Sequence, residues 1–440
     1  MRSTNQTASR LPRFINTAFA LLLCCGAMLR AGAGALPPEF SARNGLPHAR
    51  AKALAGGEVR VAFLGGSITA ANGWRVHTLK LLRDIFPGAA FTEIYAAVSG
   101  TGSNYGAARL QRDVLRHKPD LLFVEFAVND SGQRTDAIAA QMEGIVRQTW
   151  AASPDTDICF VYTVSMGMTV RIEAGEYPPS AAAMETIAAH YGIPSVQFGV
   201  EVARRETAGT LVFHAPSSVK ADAAGNDAQG RLIFTRDRTH PTDAGHRLYA
   251  ATLQRVLPPI LETGRPRPHT LAAPLKADHW QRAQLVVIPD SAAPTKQAAA
   301  AWRKLAPRDP VAVQAGRMAP PIWTALLPGA AAEFRFKGTR LGLIGLKGAD
   351  NGQFRCFIDG QPVATSTLFD SFSTPGRHPL RPWFFPDALT DAEHTVRIEL
   401  LAEKIDKAAI MKKAGKPIAD PTPDAISGAN AAPREGTSTS

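Results

Sequence analysis

Two short stretches of this 440-residue chain carry side chains that could do nucleophilic chemistry together. Gly65-Gly66-Ser67-Ile68-Thr69 places a hydroxyl after two glycines, which lets the chain turn sharply and leaves backbone N–H groups facing the same space. Asp237-Arg238-Thr239-His240-Pro241 places a carboxylate and an imidazole three residues apart, before a helical stretch beginning near Thr242 with Pro241 suited to its first turn. In such a pairing Asp237 holds one ring nitrogen of His240, fixing the tautomer and stabilising the imidazolium, while the other nitrogen takes the proton of Ser67. Asn129, in Ala127-Val128-Asn129-Asp130, offers a carboxamide donor to a developing oxyanion, a service of roughly 3 kcal/mol. Val98-Ser99-Gly100-Thr101-Gly102 offers further backbone donors. Each stretch also has a plainer reading on its own: a tight turn at Ser67, an Asn-Asp turn, a flexible glycine loop, and a surface Asp with a His.

The elements that must position these residues follow from the hydrophobic pattern. Between about residues 59 and 261, short apolar runs alternate with helical stretches. Strands are expected at Val59 to Leu64, Thr92 to Val98, Leu121 to Val128, Ile158 to Val164 and Ser195 to Phe198. Helices are expected at Trp74 to Phe86, stopped by Pro87-Gly88, at Ala107 to His117 and at Asp136 to Ala152. Such alternation predicts a parallel sheet covered on both faces. Open parallel sheets form their sites where loops leave the carboxyl ends of strands, and the Ser67, Gly100 and Asn129 stretches all occupy strand exits.

Taken together and in this order, the four stretches resemble the SGNH hydrolases, also called GDSL-like lipases and acylhydrolases, over about residues 58 to 261. Gly65 to Thr69 is similar to their nucleophile block, Ser99-Gly100 to the glycine block, Val128-Asn129-Asp130 to the asparagine block and Asp237 to His240 to the DxxH block. The nucleophile block reads GGSIT instead of GDSL, and Ala127 and Val128 stand where glycines often precede the asparagine. The resemblance implies Ser67, Asp237 and His240 as catalytic residues. It also implies an oxyanion hole made of the Ser67 and Gly100 N–H groups and the Asn129 side chain, in a three-layer α/β/α fold with a parallel sheet of about five strands.

Other chemistries find little support. Gly100, Gly102 and Gly106 miss the spacing of a dinucleotide fingerprint, and there is no Walker A stretch, CxxC pair or HExxH. Hence no cofactor and no metal are expected. The formal charge of +11 invites a nucleic-acid reading, yet Lys and Arg are scattered among acids and the longest basic cluster, around Lys412 to Lys416, is short, so no nucleic-acid partner is expected. Arg10 and Arg13 before the apolar run Phe14 to Leu29, with small residues from Ala31 to Ala35, read as a secretory signal peptide cleaved after Ala33 or Ala35. The run falls short of the about 20 apolar residues of a spanning helix. Cys24 and Cys25 lack the small residue a lipoprotein signal would place before them, so neither stable membrane insertion nor a lipid anchor is expected. Cys159 and Cys356, the cysteines left after removal of the signal, lie in separate strand-like runs and are expected as buried free thiols.

A chain of this length exceeds what one hydrophobic core usually organises. Pro266, Pro268 and Pro274 mark a linker, after which strands dominate. Glu333 to Lys337 and Thr395 to Leu400 alternate as half-buried antiparallel strands do, and Asp350-Asn351-Gly352 and Asp359-Gly360 flank Phe354 to Ile358 as two hairpin turns. A β-sandwich follows, resembling the jelly-roll accessory domains of carbohydrate-active enzymes. Its aromatics Phe369, Phe372, Trp383, Phe384 and Phe385 either fill the core or stack on sugar rings. The expected organisation is therefore a signal peptide (1–35), a hydrolase domain (36–265), a linker (266–300), a β-sandwich (301–413) and a disordered tail (414–440).

These readings converge on an exported, periplasmic or extracellular serine esterase acting on an acylated carbohydrate or other small ester. Its substrate is expected to be an O-acetyl or similar group on a polysaccharide. A lipase or arylesterase, and a glycan-binding protein whose hydrolase unit is only scaffold, are the alternatives. The oligomeric state is not legible in the sequence.

Overall fold

The computed structural model describes residues 35–287, 301–316, 319–325, 327–385 and 388–415. The expected signal peptide, the later part of the linker and nearly all of the expected tail lie outside them.

Five strands form a parallel sheet: β2 (Glu58–Gly65), β3 (Ala90–Ala97), β4 (Leu121–Glu125), β5 (Asp157–Tyr162) and β6 (Ser195–Gln197). The short β1 (Phe40–Ser41) adds antiparallel to β6, giving the order β1-β6-β5-β4-β2-β3. Near-continuous apolar strands make both faces hydrophobic, and alternate residues divide between them. Val59, Val61 and Phe63 of β2, with Leu121 and Phe123 of β4, pack toward α1 (Pro47–Leu54), α3 (Trp74–Ile85) and α9 (Asp243–Glu262). Ala62 and Leu64, with Leu122 and Val124, pack toward α4 (Ser103–Asp113), α5 (Thr135–Ala152) and α7 (Pro179–Tyr191). The outcome is three layers.

The strand order explains the convergence of loops. From β2 the chain crosses to β3 on one side and then to β4 on the other, so β2 sits at the point where the winding reverses. The exits of β2, β3 and β4 are neighbours there, the place where open parallel sheets form their sites. A separate parallel pair, β7 (Leu211–His214) with β8 (Leu232–Thr235), leads into the Asp237–His240 loop. These two short strands carry no period long enough to read from sequence. Cys159 and Cys356 are buried free thiols, as expected.

After α9 the chain runs back along the first domain. His269 stacks on Trp150 with ring centroids 4.7 Å apart and hydrogen-bonds to the buried Asp157, while Trp280 donates its N–H to Ala140 O. The C-terminal strands are antiparallel throughout. β11 (Ala331–Gly338), β16 (Ala392–Leu400), β13 (Gln353–Ile358) and β14 (Gln361–Thr367) form one sheet in the order β11-β16-β13-β14, while β12 (Gly342–Leu346) pairs with β15 (Leu380–Phe384). Val396, Ile398, Cys356 and Ile358 from the first sheet share a core with Leu341, Leu343, Trp383 and Phe385 beside the second. This is a β-sandwich.

The expected turn at Asp359-Gly360 joins β13 to β14, with φ of +51° and +78°. The other expected hairpin, at Asp350-Asn351-Gly352, is instead a crossing between sheets, because β12 pairs with β15 and not with β13. A local turn signal cannot specify that distant partner. No helix among the described residues is long and apolar enough to cross a membrane.

Candidate active site

Strand β2 ends at Gly65, and Ser67 opens the single-turn helix α2 (Ser67–Ala70). Both glycines are required sterically. A Cβ on Gly65 would strike the Thr69 side chain and the Glu125 carbonyl, and one on Gly66 would strike the Asn129 carboxamide.

Opposite, the chain leaves β8 and returns on itself, with Thr235 bridged to Pro241 and the Thr242 N–H bonded to Phe234 O. Asp237 organises this loop. Its Oδ1 accepts the Thr239 and His240 backbone N–H groups at 3.0 and 2.8 Å, and its Oδ2 accepts from His240 Nδ1 at 2.6 Å. Arg238 takes a left-handed φ of +70° to close the bend. Thr242 caps α9 by accepting the Gly245 N–H at 3.1 Å, so Pro241 lies before the cap and not in the first helical turn as expected. Partial burial pushes the Asp237 carboxyl up, but hydrogen bonds from the His240 ring and the two backbone N–H groups outweigh it and hold the group below its usual range.

The outer nitrogen, His240 Nε2, lies 2.8 Å from Ser67 Oγ, across 173 residues of sequence. Hydroxyl, imidazole and carboxylate thus form a continuous hydrogen-bonded chain. The side chains of His240 and Asp237 are 47% and 55% exposed, so the chain of groups is open to solvent.

Asn129 follows β4 and packs its carboxamide against Gly66. Its Oδ1 is buried with no hydrogen-bond partner, and no described residue engages its Nδ2. Gly100 follows β3 with a φ of +73°, in a turn closed by Thr101 Oγ1 donating to Val98 O at 2.8 Å. Ser67, Asp237, His240, Gly100 and Asn129 are therefore all placed at one end of the sheet.

Two residues absent from the expected set hold these loops. Glu125, the last residue of β4, is fully buried. It accepts from Thr69 Oγ1 at 2.8 Å, Thr163 Oγ1 at 2.6 Å and the Gly66 N–H, which pins the Ser67 turn from below. Burial pushes its carboxyl up, against those three donors. A carboxylate inside an otherwise apolar strand was the available signal. Asp130 ties the Asn129 exit to the Gly100 loop, accepting the Ser103 N–H at 3.1 Å and Gln133 Nε2 at 2.5 Å. Burial raises its carboxyl to about 7, opposed by the Ser103 and Gln133 hydrogen bonds. This cap supplied from another loop also lets α4 start at Ser103, a turn before the expected Ala107.

Among the described residues, one group has metal-ligand chemistry: His48, Asp157 and His269, with ligand atoms within 4.8 Å of one another. It lies at the opposite end of the sheet, where β5 begins, and its hydrogen bonds anchor the chain after α9. Asp157 also accepts the Ala49 N–H at 2.9 Å.

Fold and site together define a carboxylic ester hydrolase of the three-layer α/β/α class. Residues 63–248, which span Ser67 to His240, match the model of the GDSL-like lipase/acylhydrolase family. No curated protein matches the chain. Among solved structures, a two-domain esterase active on acetylated mannans, co-crystallised with mannopentaose, is similar to this chain. It is 23% identical, covers 84% of this chain and 93% of its own, and has a TM-score of 0.62. A second structure of such an esterase gives 21% identity, 83% and 93% coverage and a TM-score of 0.58. The likeness extends through both domains, so the two-domain architecture is shared.

Proposed function

We propose that this protein is an exported serine esterase that removes O-acetyl or similarly small acyl groups from a polysaccharide, with Ser67 as nucleophile. The observation that carries the reading is the unbroken chain Asp237 Oδ2, His240 Nδ1, His240 Nε2, Ser67 Oγ, with contacts of 2.6 and 2.8 Å, beside an Asn129 carboxamide that no described residue engages.

In the first step Ser67 Oγ attacks the acyl carbonyl carbon while His240 Nε2 takes the hydroxyl proton. The carbonyl electron pair moves to the oxygen, which the Ser67 and Gly100 N–H groups and Asn129 Nδ2 receive. Asp237 keeps the His240 ring in the tautomer with hydrogen on Nδ1 and stabilises the imidazolium. As the ester C–O bond breaks, His240 gives its proton to the departing alcohol oxygen and the acyl group stays on Ser67. Water then attacks the acyl-enzyme, His240 again accepting and returning a proton, and the carboxylic acid leaves.

The carbohydrate reading rests on the solvent exposure of His240 and Asp237, on the shared two-domain architecture with esterases active on acetylated mannans, and on Phe372. Phe372 is 48% exposed, whereas Phe369 and Phe385 are buried, Trp383 packs on Phe354 and Phe384 lies against Trp280. Export rests on the charged and apolar pattern before Ala35.

Acetate release from acetylated mannan and acetylated xylan, compared with hydrolysis of p-nitrophenyl acetate and a long-chain ester, tests the reading. Acetate release that Ser67→Ala abolishes is expected. A preference for long acyl chains would favour a lipase, and glycan binding without turnover of any ester would leave only a binding protein.

A further inference from the structure

The second domain reaches the glycine loop of the site. Val98 and Tyr105, on either side of that loop, share an apolar cluster with Leu346 at the end of β12 and Leu380 at the start of β15. The next residue, Arg381, lays its guanidinium directly against Gly100, so that a Cβ there would overlap it. Arg381 is itself held on three sides. Its Nη1 donates to Leu380 O at 3.1 Å, its Nε lies 3.4 Å from Asp370 Oδ2, and its Cζ sits 5.9 Å from the centre of the Phe372 ring. Asp370 is fixed in turn by the Phe372 N–H at 2.8 Å, by Ser373 Oγ at 3.2 Å and by Lys347 Nζ at 3.6 Å.

Gly100 is the most mobile kind of residue at the place where mobility costs most. An oxyanion donor contributes only if its N–H already points to where charge develops, and a glycine at positive φ has many other conformations open to it. Thr101 closes the turn, but the three atoms nearest to where a side chain on Gly100 would lie all belong to Arg381. The Arg381 guanidinium occupies that position.

We propose that Arg381 is a positioning residue for ester cleavage, by which the β-sandwich domain holds the Gly100 N–H in its oxyanion-binding orientation. The proposal rests on the serine-esterase reading above. It implies that domain docking is part of the catalytic geometry even for an ester too small to touch the second domain.

The test uses the full chain and p-nitrophenyl acetate. Arg381→Ala and Arg381→Gln are expected to lower kcat about tenfold or more with KM changed less than twofold, and to weaken a boronic-acid transition-state analogue by the same factor as kcat/KM. Ethylguanidinium added to the Arg381→Ala variant is expected to restore part of kcat, while leaving the Arg381→Gln variant less affected because its cavity is smaller. Unfolding temperatures close to wild type would show that the loss is not a loss of fold. Retention of kcat within twofold in both variants, a change in KM alone, or a loss that tracks the unfolded fraction would overturn the proposal. Ser67→Ala assayed in parallel separates the two levels: activity surviving in that variant overturns the serine-esterase reading, whereas its loss beside an unimpaired Arg381→Ala overturns only the role of Arg381.

Discussion

Asn129 extends its carboxamide over Gly66 with no described residue to receive its Nδ2 hydrogens, so its donors are spent on nothing in the resting protein. In the proposed mechanism this donor acts when charge appears on the carbonyl oxygen. Asn129→Ala is therefore expected to lower kcat on p-nitrophenyl acetate by about 10²-fold, the usual loss when one such donor is removed, with KM little changed. An unchanged kcat would assign the oxyanion to backbone N–H groups alone. Glu125 plays a different part. It touches no reacting atom, but three donors around the Ser67 turn converge on its buried carboxylate. Glu125→Ala leaves those donors unpaired around a cavity and is expected to cost about 3 kcal/mol or more of stability in urea unfolding, together with activity.

At the scale of elements, the loops of the site hold one another as well as themselves. The start of α4 is capped by Asp130 from the β4 exit, the start of α3 lies against His246 from α9, and Thr242 caps α9 locally. His246 Nδ1 accepts the Trp74 N–H at 3.3 Å, which only the neutral ring can do, and burial lowers its pKa to about 4. Asp130 moves the other way, to about 7. The signs of the two linkages are opposite. Between pH 4 and 6.5 the unfolded chain protonates His246 and the folded chain does not, so its contribution to stability is full above that window and is lost as pH falls through it. Across about pH 4 to 7 the folded chain keeps the Asp130 proton longer than the unfolded chain, so its contribution is lost as pH rises. Each amounts to a few kcal/mol, because a tenfold difference in proton affinity between folded and unfolded chain is worth about 1.4 kcal/mol. Relative to wild type, Asp130→Asn is expected to tilt stability upward with pH in this window and His246→Asn to tilt it downward. Urea unfolding at about pH 4.5, 5.5 and 6.5 measures both, and parallel profiles for the two variants would contradict the assignment.

The whole molecule joins two domains through the chain that follows α9 and through the Val98, Tyr105, Leu346 and Leu380 cluster. This contact places a β-sandwich beside a site otherwise built wholly by the first domain. On the role proposed for Arg381, the boundary between catalytic and accessory domain is structural but not functional. Leu380→Asp would put a charge into that cluster, and it is expected to lower kcat in the same direction as loss of Arg381, with the secondary structure seen by circular dichroism retained. A variant with full kcat would show that docking and catalysis are independent.

The residue types and order along the chain determined much of this. Val59 to Leu64 reads as a doubly buried strand, and its Gly-Gly exit has no room for a side chain. Asp237 and His240 are close enough in sequence to meet through one local loop, so their pairing was legible before any fold was known. The sequence also exposed the β13 to β14 turn, since Asp359-Gly360 needs two positive φ values that few other pairs adopt. Tertiary structure alone decided what depends on distant chain segments meeting. That Ser67 finds His240 across 173 residues, that Asp130 caps a helix from another loop, that β12 turns to β15 and that Arg381 leans on Gly100 are all outcomes of packing. Local propensity records the shape a segment prefers. The partner against which it is buried is set by long-range hydrophobic and polar complementarity, which has no period or spacing to read.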